Sequence, residues 1–524
     1  MSEKLFVLII GAAGFLACII PVLLRPEHYP SDDSFFYLQV GSNIARGFGA
    51  TFNRITMTNG FHPLWQFCCA GVFFLTNANK DSALLIICLI QQLLFVGIIY
   101  YLFRLNEFLR LRYWYLAIPI LMFYFLCTGL YASEAYLHCL LVLILLYYFT
   151  KEMLDPEYSL KTWAGIGILG GLLFLARLDT IFLLGVFFIV AWKNLSGAGR
   201  PKYFKYLLQA VVPAVLVVIP YLFYNYATFG HVVPISGAIK STFPHISANT
   251  HAIKDLGEIV TAAGVIGFLI AIFSSRNRGK RLIYLILSAG TLLLSLYLIL
   301  FTDGNTRWGW YYVVGMVIFA FVIVHSFEFI AGFLFRKSEG PRIGISLVLY
   351  SVLMICAGFR SWEKYSNGDS QGLNIFQLHG KTDKKWQIEV ALWLKNNLPK
   401  DTKIFIYDWP GMIAYYSDMN ILPTDGLISD YGYNDSLRKE SIGEYLSKND
   451  VHYWIGHTTE RPEESGTWSN KLNADGSQIV NISTPLYKTS AGSFTLTNER
   501  LVTDFRKSIP NPILPDLALW KLEP

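Results

Sequence analysis

Long apolar runs with at most one charge recur along the first 360 residues of the chain, and they limit its surroundings more than any other feature. Leu5–Leu24 holds 20 residues without an Asp, Glu, Lys or Arg. About 20 apolar residues in a helix are what it takes to cross the hydrocarbon of a bilayer. Further runs follow at Ala83–Phe103, Trp114–Tyr131, Ala135–Thr150, Thr162–Ala176, Ile181–Trp192, Tyr206–Tyr226, Leu256–Phe273, Leu282–Phe301, Tyr311–Phe335 and Ile343–Phe359, eleven expected spans in all. Only 15% of the 524 residues are charged, whereas soluble domains carry about 25%. A soluble enzyme, a disordered chain and a fibrous one are excluded. The expected fold is a polytopic α-helical membrane protein with a lipid bilayer as partner.

Loop charge predicts the orientation. Loops 104–113, 193–205, 276–281 and 336–342 hold fourteen Lys and Arg, whereas 132–134, 177–180 and 302–310 hold two, Arg177 and Arg307. Basic loops stay on the cytoplasmic side, so the N-terminus is expected in the cytoplasm and the tail outside. The net charge of +6 reads as this bias and not as affinity for nucleic acid. The apolar run Pro63–Leu75 is too short to cross at about 1.5 Å per residue, and is expected as an interfacial or re-entrant helix. Thr162–Trp192 reads as a hairpin whose tip, Arg177 and Asp179, faces a polar cavity, because charge in lipid is costly. The seven cysteines lie in or beside apolar runs, have no CxxC spacing, and read as small hydrophobes.

This topology collects acids, bases and aromatics on the outer rim. The first outer segment, 25–82, brings Asp32, Asp33 and His62. Glu134 precedes a span, Arg177 and Asp179 form the hairpin tip, Lys240 lies in loop 227–255, and Arg307 and Trp308 lie in loop 302–310. Carboxylates can act as bases, Arg and Lys hold phosphate, and Trp offers a stacking face. Each has a plainer reading: an Asp before a helix caps it, Glu134 and Arg177 pair structurally, and Trp308 anchors at the interface.

The segments Asp32-Asp33-Ser34-Phe35, Asn43-Ile44-Ala45-Arg46-Gly47 and Thr58-Asn59-Gly60-Phe61-His62-Pro63-Leu64-Trp65 resemble the GT-C superfamily of membrane glycosyltransferases. Similarity extends to Tyr131-Ala132-Ser133-Glu134, to Gly171-Leu172 with Ala176-Arg177-Leu178-Asp179, and to Phe229-Gly230-His231-Val232-Val233-Pro234 with Lys240. The relatives include bacterial aminoarabinose, arabinofuranosyl and protein mannosyltransferases. The chain departs from aminoarabinose transferases at His62, where they carry Lys, and at Ser133-Glu134, where related bacterial members often show Gly-Met-Glu.

The resemblance implies a polyprenyl-phosphate-linked monosaccharide donor, a glycan, lipid or protein acceptor, an inverting reaction and a bacterial inner-membrane location. It implies Asp32 as the base with Asp33 as its partner. Arg177, Lys240 and Arg307 would stabilise the leaving phosphate. Glu134, Asp179, His62 and Trp308 would line the substrate site. No cofactor is certain, and a divalent cation stays open because only some relatives use one. A transporter or flippase usually keeps ionisable groups near the midplane and repeats itself internally; here the charges sit at one rim and no repeat is visible. A ligase or polymerase using a lipid-pyrophosphate oligosaccharide is the other alternative.

Residues 1–361 are expected as the membrane domain and 362–524 as an outer mixed α/β domain. Trp386–Asn397 shows helical periodicity, Lys403–Asp408 and Val451–Ile455 read as strands, and Gly411–Tyr416 begins a short helix. Gln478–Ile482, Pro485–Lys488 and Ser493–Thr497 alternate as a small antiparallel section. Asp408 and Asp425 fall at strand ends, where α/β sheets often bind ligands.

Overall fold

The computed structural model describes the chain except residues 1, 156–158, 197–202, 275, 303–307, 337, 368–384, 440–441, 462–467, 484–489, 512–513 and 523–524. All eleven expected spans are helical, but they are not equivalent. Eight are long and apolar enough to cross a membrane: Glu3–Leu24, Lys80–Leu109, Ala135–Leu154, Phe204–Phe229, Leu256–Phe273, Arg278–Phe301, Gly309–Leu334 and Gly340–Ser366. The other three, Trp114–Cys127, Leu160–Ala176 and Ile181–Ser196, are shorter. Pro63–Leu75 is a 13-residue helix with Pro in its first turn, where the missing N–H costs nothing. It packs on a second short helix, Asp32–Ala45. The hairpin tip is tight: helix Leu160–Ala176 ends at an extended Arg177, a 3₁₀ turn spans Leu178–Thr180, and helix Ile181–Ser196 follows.

The last long helix, Gly340–Asn367, carries the chain across position 361. Beyond it, β1 (Lys403–Ile406), β2 (Asn420–Pro423), β3 (Tyr453–His457), β7 (Leu501–Asp504) and β8 (Leu517–Lys521) form one sheet in the order β2-β1-β3-β8-β7. The strands β4 (Trp468–Leu472), β5 (Gln478–Ser483) and β6 (Ser490–Leu496) form a second, antiparallel sheet. The expected strand Pro485–Lys488 lies outside the described residues. β1 runs parallel to both β2 and β3, so chain direction is shared by three strands and the crossovers leave from one edge. β1 is central among them, which makes its carboxyl end a point where the strand order reverses. Ligands of open α/β sheets bind at such points. Asp408 follows β1 and Asp425 follows β2, so both lie on that edge.

That edge faces the membrane domain. Asp32 accepts hydrogen bonds from the Gly411 and Met412 amides at 2.8 and 3.0 Å, at the start of helix Pro410–Ser417. Helix N-termini expose such unpaired N–H groups, and a carboxylate satisfies them. A Cβ at Gly411 would stand 2.2 Å from the Asp32 carbonyl oxygen, and one at Gly60 2.0 Å from that of Leu427, so both contacts exclude larger residues. A second clamp converges on Asp418, which takes Arg46 at 2.9 Å, Arg54 at 3.0 Å and Lys80 at 2.9 Å. The His231 ring stacks on Tyr431 at 4.1 Å, and the Tyr431 hydroxyl donates to the Val233 carbonyl.

Candidate active site at the domain interface

The segment that presents Glu134 is held from below. Gln91 lies inside an apolar span, yet its side chain accepts from the Ala132 amide at 2.7 Å and donates to the Ser133 carbonyl at 2.9 Å. Trp65 donates to the Ala132 carbonyl at 2.8 Å. These bonds fix Ala132 at a φ of 58°, a left-handed conformation that a residue with a Cβ rarely adopts. They set Glu134 at the start of helix Ala135–Leu154.

Glu134 meets the hairpin tip there. Arg177 bonds the Glu134 carboxylate at 2.5 Å and the Asp179 carboxylate at 3.0 and 2.5 Å, with 2% of its side chain exposed. Burial opposes both carboxylate charges, but the guanidinium holds Glu134 and Asp179 below the usual range. Burial likewise opposes the Arg177 charge, and Asp179 and Glu134 outweigh it. Tyr37 also hydrogen-bonds Glu134. His62 Nε2 lies 3.9 Å from Glu134, its Nδ1 is unpartnered, and burial pushes its pKa down to about 4. His62 is therefore neutral near pH 7.

The acidic pair is split. Asp32 is buried and spent on the distant helix Pro410–Ser417, and the helix it begins, Asp32–Ala45, has Ser31 at its N-cap position. Asp33 turns toward Lys240 and Glu134, keeps part of its surface open, and is raised by burial and then by Glu134 against the pull of Lys240. Lys240 sits with its Nζ 5.8 Å from the Tyr311 ring centre, while Arg177 stands 5.2 Å from the same ring. Burial works against the Lys240 charge, and Tyr311, Asp33 and Asp425 hold it above its ordinary range.

The C-terminal domain closes this cluster with two more carboxylates. Burial, with Asp33 as like charge, pushes Asp425 up to about 6, although Leu427 donates its amide to the carboxylate. Asp408 is exposed yet hemmed in by the interface. Lost solvent and then Asp425, with Asp32 and Asp33 further off, push it up to about 8.

The structure thus gathers Asp33, Glu134, Arg177, Asp179, His62 and Lys240. Trp308 stacks on Trp310 at 5.4 Å, and Trp310 in turn meets Tyr311. Arg307 lies outside the described residues. Among the described residues, no group of three or more His, Cys, Asp or Glu could hold a metal ion. Sequence reading passed over Tyr37 and Tyr311. Tyr311 belongs to an aromatic run, Trp308 to Tyr312, and its place between two cations has no sequence signature.

Residues 375–502 match a family described as "Domain of unknown function (DUF8728)". No curated protein matches the chain. Two solved structures are similar over nearly the whole length. One is ArnT from Cupriavidus metallidurans bound to undecaprenyl phosphate, with a TM-score of 0.57 and 11% identity over 87% of this chain and 93% of that one. The other is the same protein in the apo state, with the same score and identity over 87% and 94%. With its apolar helices and strand-containing C-terminal domain, the chain is an integral membrane protein with the fold of ArnT.

Proposed function

We propose that the protein is an inverting glycosyltransferase that moves a monosaccharide from a polyprenyl-phosphate donor to a glycan, lipid or protein acceptor at the outer face of the membrane. The observation that carries this reading is Asp33. It is a partly open carboxylate of raised pKa, set beside Lys240 and Glu134 where the spans meet the outer domain. The shared fold supports it, as does the undecaprenyl phosphate bound by the similar ArnT structure.

Asp33, and not Asp32, is the base in this reading, because both Asp32 oxygens already accept amides. Asp33 takes the acceptor hydroxyl proton as that oxygen attacks the anomeric carbon. The bond from the anomeric carbon to the phosphate oxygen breaks, and the phosphate leaves with the bonding pair. A base works best with its pKa drawn toward the working pH, and such a group contributes about 10²–10⁴-fold. The leaving phosphate gains charge and needs a cation. Arg177 is committed to two carboxylates, so Lys240 is the described cation that answers it, and Arg177 organises Glu134 and Asp179 to face sugar hydroxyls. Asp408 and Asp425 wall the acceptor side.

The test offers the purified full chain synthetic polyprenyl-phosphate sugars and the matching nucleotide sugars. Consumption of a lipid-linked donor alone is the expected result. Full activity on a nucleotide sugar without lipid overturns the donor assignment.

A further inference from the structure

We infer that Tyr431 of the C-terminal domain is a positioning residue for Lys240, an inference that rests on the proposed role of Lys240 against the leaving phosphate. Lys240 ends the six-residue helix Ile235–Lys240. A helix that short has no stability of its own, so its neighbours must hold it. Three parts of the chain do so. From segment 25–82, the Asn59 side chain accepts the Ile235 amide at 3.0 Å. From the end of span Arg278–Phe301, the Phe301 carbonyl accepts the Thr242 amide at 2.8 Å, and Tyr297 donates to the Ser241 hydroxyl at 3.1 Å. From the C-terminal domain, Tyr431 donates its hydroxyl to the Val233 carbonyl and lies flat on the His231 ring, at 4.1 Å and 11°.

The hold of the C-terminal domain reaches the lysine itself. Ile239, the residue before Lys240, is 1% exposed, and a Cβ at Gly426 would stand 3.1 Å from its Cδ1. Asp425, next to Gly426, is one of the groups that keep the Lys240 charge. Tyr431 is fixed in turn: it opens helix Tyr431–Arg438, whose cap Asp430 accepts the Tyr433 amide at 2.6 Å. His231, Val232 and Val233 are exposed, so burial does little to hold them and directional contacts must. Asn225 supplies one, at 3.1 Å to the Val232 carbonyl, and Tyr431 supplies two more. A group that meets a developing charge has to be held to within about 0.5 Å of its productive place. Residues 425–431 fall in the stretch 375–502 that matches the family of unknown function. Holding the phosphate-binding lysine is the role that this geometry gives the matched stretch.

The experiment measures binding by the full chain in nanodiscs. The probes are polyprenyl phosphate, which is the leaving group itself, and polyprenol, the same chain without the phosphate. The wild type should bind the phosphate about tenfold or more tightly than the alcohol, as one charge-assisted contact gives, and Lys240→Ala should abolish that preference. Tyr431→Ala should reduce the preference at least about threefold, the coupling expected between neighbours that act as one unit. Tyr431→Phe keeps the ring stack and loses one hydrogen bond, so it should reduce the preference about twofold. In the Lys240→Ala background, Tyr431→Ala should remove nothing further, because a residue that acts through Lys240 then has nothing to act on. Polyprenol affinity should stay unchanged throughout. A full preference in Tyr431→Ala overturns the inference, and so does an equal loss on both lipids or a further loss in the Lys240→Ala background; in each case the reading of Lys240 stands. If Tyr431→Ala does not fold, Tyr431→Phe decides, and its full preference overturns the inference. A wild type without preference, or a Lys240→Ala variant that keeps it, contradicts the phosphate role of Lys240 and this inference with it.

Discussion

Two charge clusters flank the domain interface, and they are built on opposite terms. Around Asp418, four basic side chains, Arg46, Arg54, Lys80 and Lys395, converge on one carboxylate that is about one-third exposed. Around Arg177, two carboxylates converge on one guanidinium that is almost wholly buried. The first has cations in excess, is partly exposed at Asp418 and Arg46, and joins the C-terminal domain to the membrane domain. The second has carboxylates in excess, excludes water, and lies next to Asp33. The difference teaches that a charge network clamps where solvent can screen its imbalance, and becomes a site where it cannot. Asp32 and Asp33 repeat the contrast over one peptide bond, since one docks a helix and the other faces the cleft.

The largest expected effect breaks that contrast. Replacing Asp33 with Asn should cut sugar transfer about 10²–10⁴-fold at unchanged melting temperature, as loss of a general base does. Asp32→Asn should instead loosen the C-terminal domain, read as faster proteolysis between the domains. Next, Arg177→Met leaves two carboxylates buried without a partner. Breaking a buried pair in this way costs about 3–5 kcal/mol, which thermal unfolding in detergent would report. Survival at wild-type stability would show that the carboxylates are solvated after all.

Asp418→Asn should cost less than Arg177→Met, because Asp418 and Arg46 are about one-third exposed and exposed pairs are worth about 0–1 kcal/mol, with the more buried Arg54 and Lys80 adding to that. Its mark should be easier domain release with transfer chemistry intact. Salt should weaken this clamp and spare the Arg177 cluster, since screening acts on wet charges.

The smallest effect is a pH slope. Asp408 is pushed from 3.8 up to about 8, so between those values the folded protein keeps a proton that the unfolded chain releases. Its contribution to stability is full below about pH 4 and is lost as pH rises toward about 8. The wild-type melting temperature should fall across that window, and Asp408→Asn should flatten the decline. An unchanged slope would place Asp408 in open water.

Much of the fold was legible because helices and strands write their period locally. The spans, Pro63–Leu75, β1 and β3 follow from apolar length and alternation. β8 was not legible: Leu517–Lys521 is a short apolar run at the chain end whose partner, β3, lies some 60 residues earlier. The site was legible in composition and not in assignment. Asp32 and Asp33 look alike in sequence, and only the packing of Gly411 against Asp32 separates them. Arg177 reads as an anion binder until Glu134 and Asp179 are seen to occupy it.

The most direct test of the split acidic pair uses mass spectrometry of glycans and glycolipids from a deletion strain. Complementation with the wild type restores the missing sugar. The account predicts that Asp33→Asn, produced at wild-type level, restores none of it, while Asp32→Asn restores it at least in part. Full restoration by Asp33→Asn, or its loss with Asp32→Asn in a chain shown to be folded, would contradict the account.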